Sequence, residues 1–203
     1  MLSEALSTKS TIRNVTTVSP KEYHWFKEIN SNQQSNKATN PPQKASWEIR
    51  LEEQEFIKWR SALEEWCLFF DGASKGNPGQ AGGGGIIFYP FGTPCVSYAW
   101  GLGHASNNQA EYLALWQGLN QVRKMNIQKL TIFGDYRLIF KALHTKKMTT
   151  DIGLAHTHRK VILMLKQLRN HKAYHVLRSL NNLADAEANR GAILSKSQLI
   201  VNG

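Results

Sequence analysis

Apolar residues recur along this chain in different spacings, and each change of spacing marks a change of element. Residues 1 to about 46 have no period: Ser, Thr, Asn, Gln and Lys dominate, and the stretch closes on Asn40-Pro41-Pro42-Gln43. A composition this polar cannot build a core, so 1–46 is expected to be a disordered leader, with Tyr23, Trp25 and Phe26 as a local aromatic cluster. From Trp47 to Trp66 the positions Phe56, Trp59, Leu63 and Trp66 fall at helical spacing between Glu and Arg residues, which predicts an amphipathic connector helix over 47–65. The pattern leaves open whether that helix packs on the rest of the chain or on a neighbour.

Beyond it the period shortens. Leu68 to Phe70 reads as a buried strand, followed by Lys75-Gly76-Asn77-Pro78-Gly79, a turn in which Pro78 fixes its own φ and the glycines take angles other residues avoid. Gly82 to Tyr89 and Val96 to Leu102, separated by the turn Pro90 to Thr93, complete a three-strand meander. Glycine weakens a strand interior, so the run Gly82 to Gly85 implies a bulge or close approach by a ligand backbone or a helix. Helical spacing returns from Asn107 to Met125, with Asn107 or Asn108 placed to cap it. A strand over Gln128 to Gly134, a helix to about Leu143, a long helix over Ile152 to Arg169, a strand over Tyr174 to Leu177 and a helix over Asn182 to Ala192 follow. This order predicts an α/β domain over 66–192, a five-stranded mixed sheet flanked by helices, with 193–203 as a C-terminal tail.

Charge changes the picture by its distribution. The formal net charge is +10; residues 1–66 balance nine Lys+Arg against nine Asp+Glu, whereas 67–203 carry sixteen against six. A basic folded half favours a polyanionic partner, with nucleic acid ahead of an anionic membrane because no basic amphipathic helix has a broad apolar face. Cys67 and Cys95 stand in no metal-ligating pattern and are expected to be reduced core residues, so no disulfide is anticipated. Met1 to Arg13 includes Glu4 and lacks a continuous apolar core, and no run approaches the ~20 residues of a membrane helix. The expectation is a soluble intracellular protein, nuclear or cytoplasmic being undecided.

Six acids survive in the basic half: Asp71, Glu111, Asp135, Asp151, Asp185 and Glu187. Asp71 follows an apolar strand and Asp135 ends another. Glu111 opens a helix on the stripe of Ala114, Leu115, Gly118 and Val122, and Asp185 shares a face with Ala188 and Ala192. Two strand-end acids and two inward helix acids could converge, and their mutual repulsion would then demand cations. Oxygen-only ligation selects Mg²⁺ or Mn²⁺, and two such ions ~3.5–4 Å apart suit in-line phosphodiester displacement.

The segments FFDGASKGNPG, SNNQAEY, FGDYRLI and NNLADAEAN, in this order and spacing, resemble the four acidic motifs of type 1 ribonuclease H over roughly residues 66 to 192. The resemblance implies a ribonuclease H-like fold and a catalytic, metal-bearing quartet of Asp71, Glu111, Asp135 and Asp185 holding two Mg²⁺ or Mn²⁺ ions. It implies hydrolysis of the RNA strand of RNA–DNA hybrids to 5′-phosphate and 3′-hydroxyl ends, with double-stranded RNA as a second candidate duplex. Asn77, Ser106 and Asn107 match positions that hold substrate phosphate and sugar, and Gly72 and its neighbours would let the minor groove approach, where 2′-hydroxyls are read without sequence. More narrowly, the chain is similar to the ribonuclease H domains that trail plant retroelement reverse transcriptases, although no Tyr-x-Asp-Asp polymerase motif occurs.

Three departures qualify that resemblance. Tyr136 replaces a small hydroxyl residue after the third Asp and is expected to crowd the metal site. Only Arg178 to Ala184 separates the last strand from Asp185, as in the short-loop branch of the family, so His175 is expected to be a strand residue and no catalyst. Lys146, Lys147, His156, His158, Arg159 and Lys160 form a modest basic patch, which reads equally as a solvated face or as a hybrid-binding one. Two readings follow: a metal-dependent endoribonuclease, and a nucleic-acid-binding module that keeps the fold with weak or no turnover. Keeping four acids in an acid-poor half favours the enzyme, and protein partners stay unspecified.

Overall fold

The computed structural model describes residues 47–147, 149 and 151–203, so the leader expected over 1–46 lies outside the described residues. Among the described residues six strands form one sheet, in the order β5-β4-β1-β2-β3-β6. β1 (Trp66–Gly76), β2 (Gly79–Phe88) and β3 (Pro94–Ala105) are the antiparallel meander anticipated from the turn residues, and β4 (Lys129–Gly134) and β5 (Asn170–His175) add in parallel to the other edge of β1. The count is six rather than five because Leu199–Asn202, expected as tail, forms β6 antiparallel to β3. Two of its four residues are exposed and alternate with half-buried ones, so its stability comes from pairing with β3 rather than from an apolar run. β5 also begins upstream of the expected strand and ends at His175, because Asn170 to Lys172 are exposed edge residues with little apolar signal.

Among the described residues five helices cover the sheet. α2 (Asn107–Lys124), α3 (Arg137–Thr145) and α4 (Ile152–Leu165) pack with Leu68, Phe70, Ile87, Tyr98, Leu130 and Ile132 in the main core. α1 (Glu53–Ser61) is shorter than the 47–65 helix read from the sequence, and Trp66 belongs to β1 instead. α1 packs on the sheet: Phe56 meets Phe133 and Phe69 edge-on at 5.6 and 6.2 Å, and Trp59 meets Tyr174 at 5.8 Å. Burying an aromatic side chain of this kind stabilises by about 1.5–3 kcal/mol. Arg60 is buried beside it, its guanidinium 4.5 Å from the Phe88 ring centroid and donating to the Gly92 carbonyl at 3.4 Å.

Three of the four glycines in the β2 run are explained by helices on both faces, and the fourth, Gly85, by the Tyr98 side chain and the Phe69 carbonyl of the adjacent strands. A Cβ at Gly84 would lie 2.1 Å from Ala188 N and one at Gly82 2.0 Å from Ala192 N, both in α5 (Asn182–Ala192), while one at Gly83 would lie 3.1 Å from Ala114 in α2. The pairing of β2 with β3 also shifts register between Ala81 and Gly82. Both the bulge and the close helical approach that the glycines imply are therefore present. Only backbone without side chains lets α2 and α5 sit this deep, and those helices carry Glu111 and Asp185.

Candidate metal centre

Asp71 stands in central strand β1, only 5% exposed, with Gly72 N–H donating to its Oδ1 at 2.9 Å. Asp135 directly follows β4, the parallel neighbour of β1, and so reaches the same end of the sheet. Glu111 arrives from α2, which starts at Asn107, so it is the fifth helical residue rather than a first-turn one. The cap is Ser106, not either asparagine: its Oγ accepts from Gln109 N–H while the Gln109 side chain accepts from Ser106 N–H. That reciprocal box was legible as Ser-x-x-Gln in the sequence.

One carboxylate oxygen from each of Asp71, Glu111 and Asp135 lies within 4.8 Å of the others. Burial first, then the charges of Asp135 and Asp185, push the Asp71 pKa from 3.8 up to about 7. Glu111 is pushed well above the carboxylate range by burial and then by Asp71 and Asp135, and its Oε2 is buried without a hydrogen-bond partner. Oxygens opposed across an ion at ~2.0–2.4 Å are ~4–4.8 Å apart, so the cluster fits a hard divalent cation, and the unpartnered Glu111 oxygen is the acceptor such an ion would satisfy.

Asp185 lies outside that close group, and its side chain is 30% exposed rather than inward like Glu111. Both its oxygens are engaged: Arg178 donates to Oδ1 at 2.8 Å and Asn189 Nδ2 to Oδ2 at 2.9 Å. It is still near enough to contribute to the raised pKa of Asp71.

Asn77 and the helix cap come together, as Asn107 N–H donates to Asn77 Oδ1 at 3.1 Å and ties the β1–β2 turn to α2. Gly72, expected against substrate, has its side-chain direction filled by protein: a Cβ there would lie 2.2 Å from Glu111 N. Tyr136 does not hydrogen-bond to the acids; its hydroxyl donates to Asn108 Oδ1 at 2.6 Å in the first turn of α2. His175 ends β5 as a strand residue, with Nε2 at 3.1 Å from the Asp135 carbonyl. Of the basic patch, Lys146, Lys147, His156, Arg159 and Lys160 are exposed, but His158 is buried, its Nδ1 3.1 Å from the Tyr112 hydroxyl, because its helical position faces α2.

Asn181 was not singled out from the sequence. It is 1% exposed, and its Nδ2 donates to the Phe70 carbonyl and to Asp135 Oδ1, both at 3.0 Å, linking β1 to the third carboxylate. An Asn four residues before Asp185 was a weak signal, readable as a helix cap but not as a bridge. Cys67 is buried and Cys95 half-buried, and both are free thiols. Among the described residues no helix is long and apolar enough to cross a membrane.

Comparison with known proteins places this geometry. Residues 69–191 match the family model described as reverse transcriptase-like. Ribonuclease HI of Halobacterium salinarum is 34% identical over 121 residues, covering 60% of this chain and 61% of that protein. A bifunctional protein of Mycobacterium tuberculosis is 28% identical over 120 residues, covering 59% of this chain and 33% of its own length. The chain thus spans less than two thirds of the curated relatives it matches. The solved structure of RNase H1 from Halobacterium salinarum superposes with a TM-score of 0.60 at 32% identity, covering 63% of this chain and 96% of that one. The N-terminal RNase H domain of the Mycobacterium tuberculosis protein does so with 0.61 at 26%, covering 63% and 98%. Fold, motif order and a matched stretch longer than half the chain agree: the chain belongs to the reverse transcriptase-like family and carries the type 1 ribonuclease H fold.

Proposed function

We propose that this protein is a metal-dependent endoribonuclease that hydrolyses the RNA strand of RNA–DNA hybrids. The observation that carries the reading is the triad of buried Asp71 and Glu111 with half-buried Asp135, with an unpartnered Glu111 oxygen, in a folded half where sixteen Lys+Arg face six acids. Its likeness to ribonuclease HI of Halobacterium salinarum supports the substrate class. Asp71, Glu111 and Asp135 would hold one Mg²⁺ or Mn²⁺ ion, and Asp71, which responds to both Asp135 and Asp185, would share a second with Asp185. Bound ions of this kind supply an activated water and neutralise charge on the phosphate.

The chain's own residues do the rest. Asn181 holds the Asp135 carboxylate, and Gly72 N–H holds one Asp71 oxygen. Asn77, Ser106 and Asn107, gathered where the hairpin meets α2, would position the phosphate and sugar of the strand. Exposed His156, Arg159 and Lys160 would attract the duplex without reading its sequence. A retroelement-derived origin is consistent with the reverse transcriptase-like match.

One observation favours a weaker enzyme or a binding module: both oxygens of Asp185 already have protein donors. Arg178, however, has a side chain 79% exposed, and an ion pair so open to solvent is readily exchanged for a cation. The deciding experiment is incubation of purified full-length protein with an end-labelled hybrid, with and without Mg²⁺ or Mn²⁺. Cleavage of the RNA strand only with metal, lost in Asp71→Asn, supports the enzyme. Retained binding with no cut under either ion transfers the reading to the binding module.

A further inference from the structure

Trp47, Glu48 and Ile49 precede the matched family stretch, yet they contact His175 of β5 and Arg137 of α3, which flank Asp135. Ile49 N–H donates to the His175 carbonyl and His175 N–H to the Trp47 carbonyl, both at 2.8 Å, so the segment adds a short parallel bridge to the free edge of β5. Within that bridge Glu48 is 4% exposed, between Trp47 and the buried apolar Ile49. A carboxylate at such a site needs partners, and an apolar residue there would fold at least as well.

Its partners point one way. Glu48 Oε1 accepts from Arg137 Nε at 2.7 Å, and Oε2 accepts from Arg50 at 3.3 Å. Arg137 is the first residue of α3, two positions after Asp135, and its guanidinium also lies 5.7 Å from the Trp47 ring centroid. The bridged residue His175 places Nε2 at 3.1 Å from the Asp135 carbonyl. Trp47 closes the assembly, stacked on His144 at 5.7 Å and edge-on to His175 at 6.3 Å. The backbone of Asp135 is thus held from both sides, through Arg137 by the Glu48 carboxylate and through His175 by the Trp47–Ile49 backbone.

We propose that Glu48 is a positioning residue for the metal centre, the anchor of a strap that fixes Asp135 through Arg137 and His175. This rests on the proposed role of Asp135 as a metal ligand. The strap acts on where the third carboxylate sits. Loosening it weakens metal affinity more than it weakens the fold, as partners behind metal ligands do.

The test uses full-length protein without nucleic acid and reads the Mg²⁺ concentration that gives half of the metal-induced rise in Tm. Glu48→Gln keeps the size while removing the charge and one of the two acceptor oxygens, and Arg137→Gln removes the same pair from its exposed side. Val161→Ala, a buried change in α4, is the control for general loss of packing. Each strap variant is expected to raise the midpoint about tenfold, with the control unchanged. Glu48→Gln should add nothing in an Asp135→Asn background.

A midpoint within twofold of wild type in both strap variants overturns the positioning role and leaves the proposed function standing. A control shift as large as theirs overturns it too, because the effect would then be general softening. Wild-type protein that shows no Mg²⁺-dependent stabilisation removes both the metal centre and the strap's role in it.

Discussion

Asp71 has the environment that matters most, and its titration gives a signed prediction. Its folded pKa of about 7 exceeds the ordinary 3.8, so the folded chain keeps a proton that the unfolded chain releases between those values. Metal-free stability from this group therefore falls as pH rises from about 4 to about 7. Asp71→Asn has no such proton, so its stability advantage over wild type should grow across that window and level off above it. Denaturant unfolding of both metal-free proteins at stepped pH checks this, and an advantage that shrinks with rising pH refutes the assignment. Asn181→Ala leaves the buried Phe70 carbonyl and an Asp135 oxygen without their donor, which predicts a loss of ~1–3 kcal/mol and a ~10–100-fold weaker response to Mg²⁺. Unchanged Mg²⁺ titration with reduced Tm would make Asn181 a purely structural bridge. Asp71, Glu111 and Asp135, which the structure brings together, were readable because acids are scarce in a basic segment, whereas Asn181 was not: its side chain links β1 to the loop before α5, residues 111 positions apart.

At the scale of elements, the deep seating of α5 depends on glycine. Gly84→Ala places a methyl 2.1 Å from the Ala188 nitrogen, a backbone atom that cannot swing aside. The helix must lift, and Asp185 lifts with it. Overpacking of this kind costs typically ~1–3 kcal/mol, and hybrid cleavage should fall with stability. If Gly84→Ala keeps wild-type Tm and turnover, the close approach of α5 is not needed. For α1, Phe56→Ala should cost ~3–5 kcal/mol, read by denaturant unfolding, because the ring lies between Phe133, Phe69 and Trp59 rather than in solvent. A change below 1 kcal/mol would mean that α1 adheres only loosely. The spacing of Phe56 and Trp59 foretold an amphipathic helix but not its seat, since one apolar face fits any complementary surface. Helix starts were similarly part-legible: the Ser106–Gln109 box was in the sequence, while the proximity of Asn77 was not.

For the whole molecule the clustered carboxylates and the basic surface oppose each other. Cations at the triad relieve repulsion in the folded state only, so millimolar Mg²⁺ should raise Tm, and Asp71→Asn should blunt that rise while abolishing cleavage. Hybrid binding by that variant should persist and weaken steeply as salt is raised, because phosphate contacts release counterions. Salt-independent binding would rule out the electrostatic docking assigned to His156, Arg159 and Lys160. Sequence alone determined the order of elements as far as α5 and the three-strand meander, because these follow from local period and turn chemistry, which neighbouring residues fix among themselves. Only the tertiary structure decided that Leu199–Asn202 is a sixth strand, that His158 faces inward to Tyr112, that Asp185 stands apart on Arg178, and that Glu48 reaches Arg137. Each of these depends on which distant surface a residue meets once the sheet has formed, and a side chain's partner across 46 or 89 positions leaves no periodic trace in the chain.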